Sequence, residues 1–400
     1  MYWNGRRNTI IFKPMKEVFV HGSYLISSLG FGIQENMDKL YGAQSGSALI
    51  HDHKYYPEAF FGSKIDHLRF ANEFENQFPN LLTEYTFFEK LLLFVVQKSI
   101  QNLHFSIDLK NTLVIISSTK GNIDLLAETE RGKWENERVF LWKSAEYIQE
   151  FFKLENKVLV ISNACISGVE AISVGSRLIR TGKFKNVIVA GADILSEFVV
   201  SGFQSFQSLS LEQCKPFDSE RSGLNLGEAA AALVLSCSEN TSPIQVLGSA
   251  TSNDANHISG PSRNGDGLFL AIQSALDESK ITADKVDLIS AHGTATDYND
   301  EMESKALSLA NLESVPVNSL KGFWGHTLGA AGLIESIVSI ESMKENKLIK
   351  TLGYENHGVS KNISVVSQSK THKIDTFLKT ASGFGGTNAA IIFQKHKQHD

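Results

Sequence analysis

Apolar residues along this chain follow two rhythms. Short unbroken runs occur at Val18-Phe19-Val20, Leu113-Val114-Ile115-Ile116, Val158-Leu159-Val160-Ile161 and Val187-Ile188-Val189. Between them lie longer segments whose apolar positions recur every three or four residues, as Phe88, Leu91, Leu92, Val95 and Val96 do within 85–103. β-Branched runs of this length read as strands covered on both faces, and the 3.6-residue period reads as helices packed over them. The pattern predicts strands at 18–22, 113–116, 157–162 and 186–191, with helices at 85–103 and 166–181, and residues 229–235 end the first half. It then predicts strands at 245–251, 286–290, 363–366 and 389–393, with helices at 267–276, 300–309 and around 325–339. Residues 31–82 are polar with little periodicity and read as surface loops and short helices. The charged stretch 128–138 reads as an exposed loop. The fold class is therefore α/β, in two similar halves, although no residue-level repeat is visible. The boundaries read as an extension at 1–16, a first half at 17–242 and a second at 243–400.

Size and composition narrow this picture only modestly. The chain has 400 residues, enough for two packed halves, with 42% hydrophobic and 20% charged residues. No run approaches the roughly 20 apolar residues of a membrane span. The basic start lacks the apolar stretch of a secretory signal. Three widely spaced cysteines, Cys165, Cys214 and Cys237, match neither a disulfide framework nor a zinc site, so a cytoplasmic setting is expected. A net charge of −6 argues against nucleic acid as a partner.

Candidate chemistry centres on Asn163-Ala164-Cys165-Ile166-Ser167-Gly168, between a predicted strand and a predicted helix. A cysteine at a helix N-terminus faces aligned N–H groups that favour thiolate, the attacking form in covalent catalysis. Alternatively, Cys165 is a small buried hydrophobe. Two histidines stand in glycine-rich settings: His292 in Ala291-His292-Gly293-Thr294-Ala295-Thr296, and His326 in Lys321-Gly322-Phe323-Trp324-Gly325-His326. No metal-ligand spacing accompanies them.

Taken together and in order, these motifs resemble the elongating β-ketoacyl-acyl carrier protein synthases of the thiolase superfamily, over about residues 18–393. The same order includes Pro216-Phe217-Asp218 with Arg221 and Gly223, Gly227-Glu228-Ala229-Ala230, Asp254-Ala255-Asn256-His257 and Gly383-Phe384-Gly385-Gly386-Thr387-Asn388. The resemblance implies a thiolase-like fold layered αβαβα. It implies an acyltransferase that loads an acyl group onto Cys165 and condenses it with a decarboxylated malonyl thioester in fatty acid, polyene or polyketide-type elongation. Cys165, His292, His326 and Lys321 take the catalytic positions. The N–H groups of Cys165 and Phe384 form the oxyanion site, with the Phe384 ring as gate or as a core aromatic. Thr294 and Thr296 bind the phosphopantetheine arm or cap a turn. Glu303 and Glu335 support Lys321 by ion pairing or lie on helix surfaces. No metal or other cofactor is implied. The implied partners are acyl carrier protein and a second subunit, in a homodimer or a mixed dimer.

Several positions depart from the family pattern. The turn Ser117-Ser118-Thr119-Lys120-Gly121-Asn122 stands where the family has a glycine-rich stretch with a small apolar residue that helps line the acyl pocket near the dimer interface, and Lys120 lies in it. There it narrows the pocket, pairs with an acid or points elsewhere. Ser382, Asp297, Phe323-Trp324 and Ala230 are also unusual. Two competing readings are a non-catalytic chain-length-factor-like subunit and a coenzyme A-dependent thiolase-type enzyme. Retention of Cys165, His292, His326 and Lys321 opposes the first. The lack of a second cysteine near the C-terminus opposes the second.

Overall fold

In the computed structural model, residues 15–396 are described, apart from 131, 239–241 and 258–259. Most of the extension expected at 1–16 therefore lies outside the described residues. Ten strands build two sets of five. The first set is β1 (Phe19–Ser27), β2 (Leu113–Ser117), β3 (Leu159–Ile161), β4 (Asn186–Asp193) and β5 (Ala229–Ser236). The second is β6 (Ile244–Asn253), β7 (Leu288–Ser290), β8 (Val317–Asn318), β9 (Thr376–Gly383) and β10 (Thr387–Lys395).

Strand order is β3-β2-β4-β5-β1 in the first set and β8-β7-β9-β10-β6 in the second. Counted within each set, both orders read 3-2-4-5-1, with matching parallel and antiparallel pairings. The duplication is thus topological. The sets meet where β1 pairs antiparallel with β6, at Phe19 and Gln245.

Helices among the described residues that build the layers and the site include α1 (Phe87–Gln101), α2 (Ser167–Arg180), α3 (Glu197–Ser205), α4 (Asp266–Ser279), α5 (Asp297–Leu309) and α6 (Ala331–Glu345). α1 starts at a capping box, with the Thr86 hydroxyl accepting from the Glu89 N–H and the Glu89 carboxylate accepting from the Thr86 N–H. It packs on the outer face of the first sheet, and α4 packs on the outer face of the second. α2 and α6 lie side by side between the sheets. α6 is buried from Ala331 to Ile340 without a break, as a helix in the middle layer must be. The result is the expected αβαβα sandwich.

Four features differ from the sequence reading. Residues 363–366 form no strand; Val365 makes only an isolated bridge to Val317. The strand that fills the sheet is β9, whose Lys379 and threonines disguise it. Residues 31–82 hold more order than their polarity implies, with helices at Ile33–Tyr41 and His67–Gln77 and paired strands at Ser47–Ile50 and Phe60–Ser63. The 128–138 stretch is not wholly exposed: Arg138 is buried and pairs with buried Glu89 at 2.6 Å. Finally, β3 is an edge strand with Leu159 exposed, so its apolar run is not covered on both faces.

Candidate active site

The site forms where the two central helices begin. A Cβ on Gly168 would stand 2.6 Å from the Leu333 backbone nitrogen, so α2 and α6 touch there backbone to backbone. That contact brings Cys165, just before α2, next to His326, just before α6. Ala164 takes a left-handed backbone (φ 46°), which turns the chain sharply from β3 into α2. His292 arrives from the end of β7 in the other half. One sulfur and two imidazoles, 127 and 34 residues apart in sequence, thereby converge with donor atoms within 4.8 Å of one another. The sequence spacing alone pointed away from any metal set, yet this sulfur–imidazole trio is one that a soft divalent ion could bind.

Hydrogen bonds set the tautomers. His326 Nδ1 accepts from the Leu328 N–H at 3.2 Å, which leaves the proton on Nε2. Its Nε2 has no partner among the described residues although His326 is buried. His292 Nδ1 faces the Lys321 ammonium at 3.4 Å, which again leaves the proton on Nε2. The rings sit edge to face at 5.2 Å. Burial, reinforced by the charge of Lys321 and then of neighbouring groups including Lys379, holds both imidazoles well below their usual pKa. Two neutral N–H donors thus reach the cavity that holds Cys165.

The cysteine corrects the sequence argument. Burial pushes the Cys165 thiol up to about 11, against the lowering effects of Lys321 and the Phe384 N–H. Removal from water outweighs these lowering contacts and favours the protonated sulfur at neutral pH. The rate of Cys165 alkylation by iodoacetamide should accordingly keep rising through pH 9 and 10, towards an inflection at about 11. Levelling of that rate by pH 8 would show instead that the helix field wins.

The His292 loop is held on every side. Glu303 accepts the N–H groups of His292 (2.9 Å) and Gly293 (2.7 Å) and the Thr380 hydroxyl (2.7 Å). It makes no ion pair with Lys321, so its support of the site is through the backbone. Asp300 accepts from Thr294 (2.8 Å) and Ala295 (3.1 Å), and burial pushes its carboxyl up to about 6. The Thr294 and Thr296 hydroxyls are 2.8 Å apart at the cavity wall. Glu335 pairs with Lys321 at 2.7 Å and, through its other oxygen, with Lys379 at 2.7 Å.

Lys379, Asp193 and Asp300 escaped the sequence reading. Asp193 is buried and accepts from the Ser118 hydroxyl, the Thr119 N–H and, at 2.6 Å, the Gly329 N–H. It thereby ties the end of β4 to the turn after His326. Lone acidic or basic residues like these gain meaning only from burial, which no local motif reports.

On the far side of Cys165, Gly383 comes close enough that a Cβ would lie 3.0 Å from the Cys165 nitrogen. This approach lets the Phe384 N–H reach the sulfur. The Phe384 ring is half-exposed, stacks on Phe203 at 5.7 Å and meets Phe206 edge-on at 5.2 Å. Ser382 bonds Asn388 Oδ1 across the turn at 2.8 Å, and Asp297 lies 3.6 Å from Arg221. Phe323 and Trp324 are fully buried in the central core. Lys120 has an exposed side chain and lines neither cavity; its backbone N–H points to Asp193.

The cavity of about 340 Å³ contains Cys165, His292, His326, Thr294, Thr296 and Phe384 together. A larger one of about 630 Å³, beside His67, Asp124 and Glu228, contains none of them. Chemistry rather than volume marks the site. No helix among the described residues is long and apolar enough to cross a membrane.

Residues 15–240 match the family model for the β-ketoacyl synthase N-terminal domain, and residues 244–355 match the C-terminal domain. A putative mitochondrial 3-oxoacyl-[acyl-carrier-protein] synthase of Schizosaccharomyces pombe is 31% identical over 284 residues, covering 65% of this chain and 67% of that protein. The tetracenomycin polyketide synthase ketoacyl synthase alpha subunit of Streptomyces glaucescens is 31% identical over 264 residues, covering 61% of each. The chain thus spans about three-fifths to two-thirds of the curated relatives it matches. Among solved structures, a β-ketoacyl synthase from Burkholderia phymatum superposes with a TM-score of 0.87 at 24% identity, covering 96% of this chain and 100% of that one. The ishigamide ketosynthase/chain length factor superposes with a TM-score of 0.87 at 22% identity and the same coverage. Both sequence halves match and the αβαβα sandwich is shared, so the chain belongs to the β-ketoacyl synthase family.

Proposed function

We propose that this protein is a β-ketoacyl synthase that lengthens an acyl chain held on Cys165 by two carbons from a malonyl thioester. The observation that carries this reading is the single cavity shared by the Cys165 sulfur and two neutral imidazoles.

Cys165 attacks the thioester carbonyl of an incoming acyl carrier. The carrier sulfur leaves and takes up the proton lost by the thiol. During attack the carbonyl oxygen becomes an oxyanion, and the N–H groups of Cys165 and Phe384 stabilise it. A malonyl thioester then enters past Phe384, its phosphopantetheine arm bonded by Thr294 and Thr296. Its carboxylate leaves as carbon dioxide and the electron pair moves onto the thioester as an enolate. The Nε2–H groups of His292 and His326 donate to the enolate oxygen. Lys321 supplies positive charge behind them and fixes the His292 ring. The enolate carbon attacks the acyl-Cys165 carbonyl, a carbon–carbon bond forms, and the Cys165 sulfur leaves as thiolate and takes a proton from water to return to the resting thiol. No step calls on a metal or redox cofactor.

The substrates in this reading ride on acyl carrier protein, and the working unit is a dimer of two like chains or of this chain and a related subunit. Supporting a dimer, the outer edge of β3 has no strand partner among the described residues, and Phe140, Trp142, Leu126 and Phe198 are exposed. An acyl-pocket role for Lys120 then requires a partner subunit to cover it.

Intact-mass measurement after mixing with acyl carriers, then with malonyl carrier, tests the reading. The expected result is an acyl mass on Cys165, followed by its loss and a β-ketoacyl product two carbons longer. An unmodified Cys165 with every acyl carrier tried would sink it. Short against long saturated chains test Lys120 in the same experiment, since equal transfer removes it from the acyl pocket.

A further inference from the structure

Lys379 stands in the middle of β9, a strand otherwise apolar or hydroxylic, with its side chain fully buried. A buried ammonium costs several kcal/mol unless its donors and its charge are matched. Neutralising Glu335 does not explain it, because Lys321 already pairs with that carboxylate at 2.7 Å. Burial lowers the Lys379 pKa, while Glu335 and, more weakly, the nearby Glu303 carboxylate favour its charged form. The remaining contacts explain its place. Lys379 Nζ donates to the Ser290 and Ala291 carbonyls, each at 3.1 Å, and pairs with Glu335 Oε2 at 2.7 Å. Lys321 Nζ donates to the next carbonyl, that of His292, at 2.5 Å. Two ammonium groups bridged by one carboxylate therefore grip three consecutive carbonyls leading into the histidine. Glu303 grips the N–H groups of His292 and Gly293 from the other side.

We propose that Lys379 is a positioning residue for decarboxylation: by clamping the Ser290 and Ala291 carbonyls and bridging through Glu335 to Lys321, it aims the His292 Nε2–H at the enolate oxygen. The inference rests on the reading of His292 as a donor to that oxygen. The side-chain bonds of Lys379 go to Ser290, Ala291 and Glu335 rather than to Cys165 or the Gly383–Phe384 turn, so acylation should not depend on it. Its charge also helps keep both imidazoles neutral, in the state that donates without giving up a proton.

The test uses two variants of the full chain. Lys379→Met keeps the length and packing of the side chain without its charge. Lys379→Ala leaves a space walled by two carbonyls and a carboxylate. Acylation of Cys165 and carbon dioxide release from malonyl carrier are measured separately, with thermal melts to show folding. Acylation should stay within about threefold of the unaltered protein. Decarboxylation should fall about 100-fold, the scale for misplacing one donor to a developing oxyanion. Methylammonium should restore part of the rate to Lys379→Ala, while tetramethylammonium, too large and without N–H donors, should not. Lys379→Met, whose side chain fills the space, should not respond to either. Unchanged decarboxylation in the Met variant overturns the proposal, as does an equal loss of both steps without rescue. Should the unaltered protein release no carbon dioxide, the condensing reading fails first. Histidine ¹⁵N NMR then decides the clamp by itself: the His292 ring should lose its single tautomer in Lys379→Met, and an unchanged signal overturns the proposal.

Discussion

Cys165→Ala should abolish condensation while leaving decarboxylation of malonyl carrier measurable. Removing a covalent nucleophile costs about 10⁴-fold or more in turnover, and among the described residues no second thiol reaches this cavity: Cys214 is buried elsewhere and Cys237 lies beyond β5. The two steps separate because their holders separate. His326 takes its orientation from the Leu328 N–H and His292 from Lys321, and neither contact passes through the sulfur. The alanine variant therefore keeps both Nε2–H donors, so malonyl carrier should still lose carbon dioxide and yield acetyl carrier, with no β-ketoacyl product. Mass spectrometry of the carrier reads all three species at once. A variant that still formed β-ketoacyl carrier would move the nucleophile elsewhere. A variant that lost decarboxylation as well would show that the cysteine, rather than the backbone around the histidines, orders the second step.

The parts of the site that could be read from the sequence are those built on turns. His292 and His326 each adjoin a tight bend at a glycine and Cys165 follows one at Ala164, and a bend writes itself into neighbouring residues. Lys321 was visible only through the family resemblance, by its distance from His326. Lys379, Asp193 and Asp300 left no such mark. Each is a single charged residue within or beside a regular element, and its importance comes from being buried against backbone groups far away in sequence. The expected thiolate is opposed on the same ground: the turn shows which N–H groups face the sulfur, whereas the loss of water depends on the whole packed site.

The fold shows the same division. Apolar runs located the central strands, because a strand covered on both faces must be apolar throughout. β9 escaped because Lys379 and its threonines interrupt the run, and those residues are there to serve the site. β3 was found but misjudged: an apolar run cannot say whether its cover comes from this chain or from another.

Glu335→Gln should destabilise the protein by about 3–5 kcal/mol, the range for stripping a buried charge of its partner. Glu335 is 1% exposed, and the two ammonium groups it bridges are fully buried. With a neutral amide in its place, two cations face each other in the interior with carbonyl dipoles and the Glu303 carboxylate left to offset them. Denaturant titration should show a lower midpoint with an unchanged slope, the sign of lost stability without a changed fold. Adding Lys379→Met to the Gln variant removes one of the two orphaned charges. The double variant should therefore be more stable than Glu335→Gln alone, a non-additivity expected only for groups that share a partner. If the two substitutions simply added, the bridge would not exist as a unit. The stability regained should not bring back decarboxylation, because the clamp on Ser290 and Ala291 is gone. A cluster that merely held the fold would recover both together.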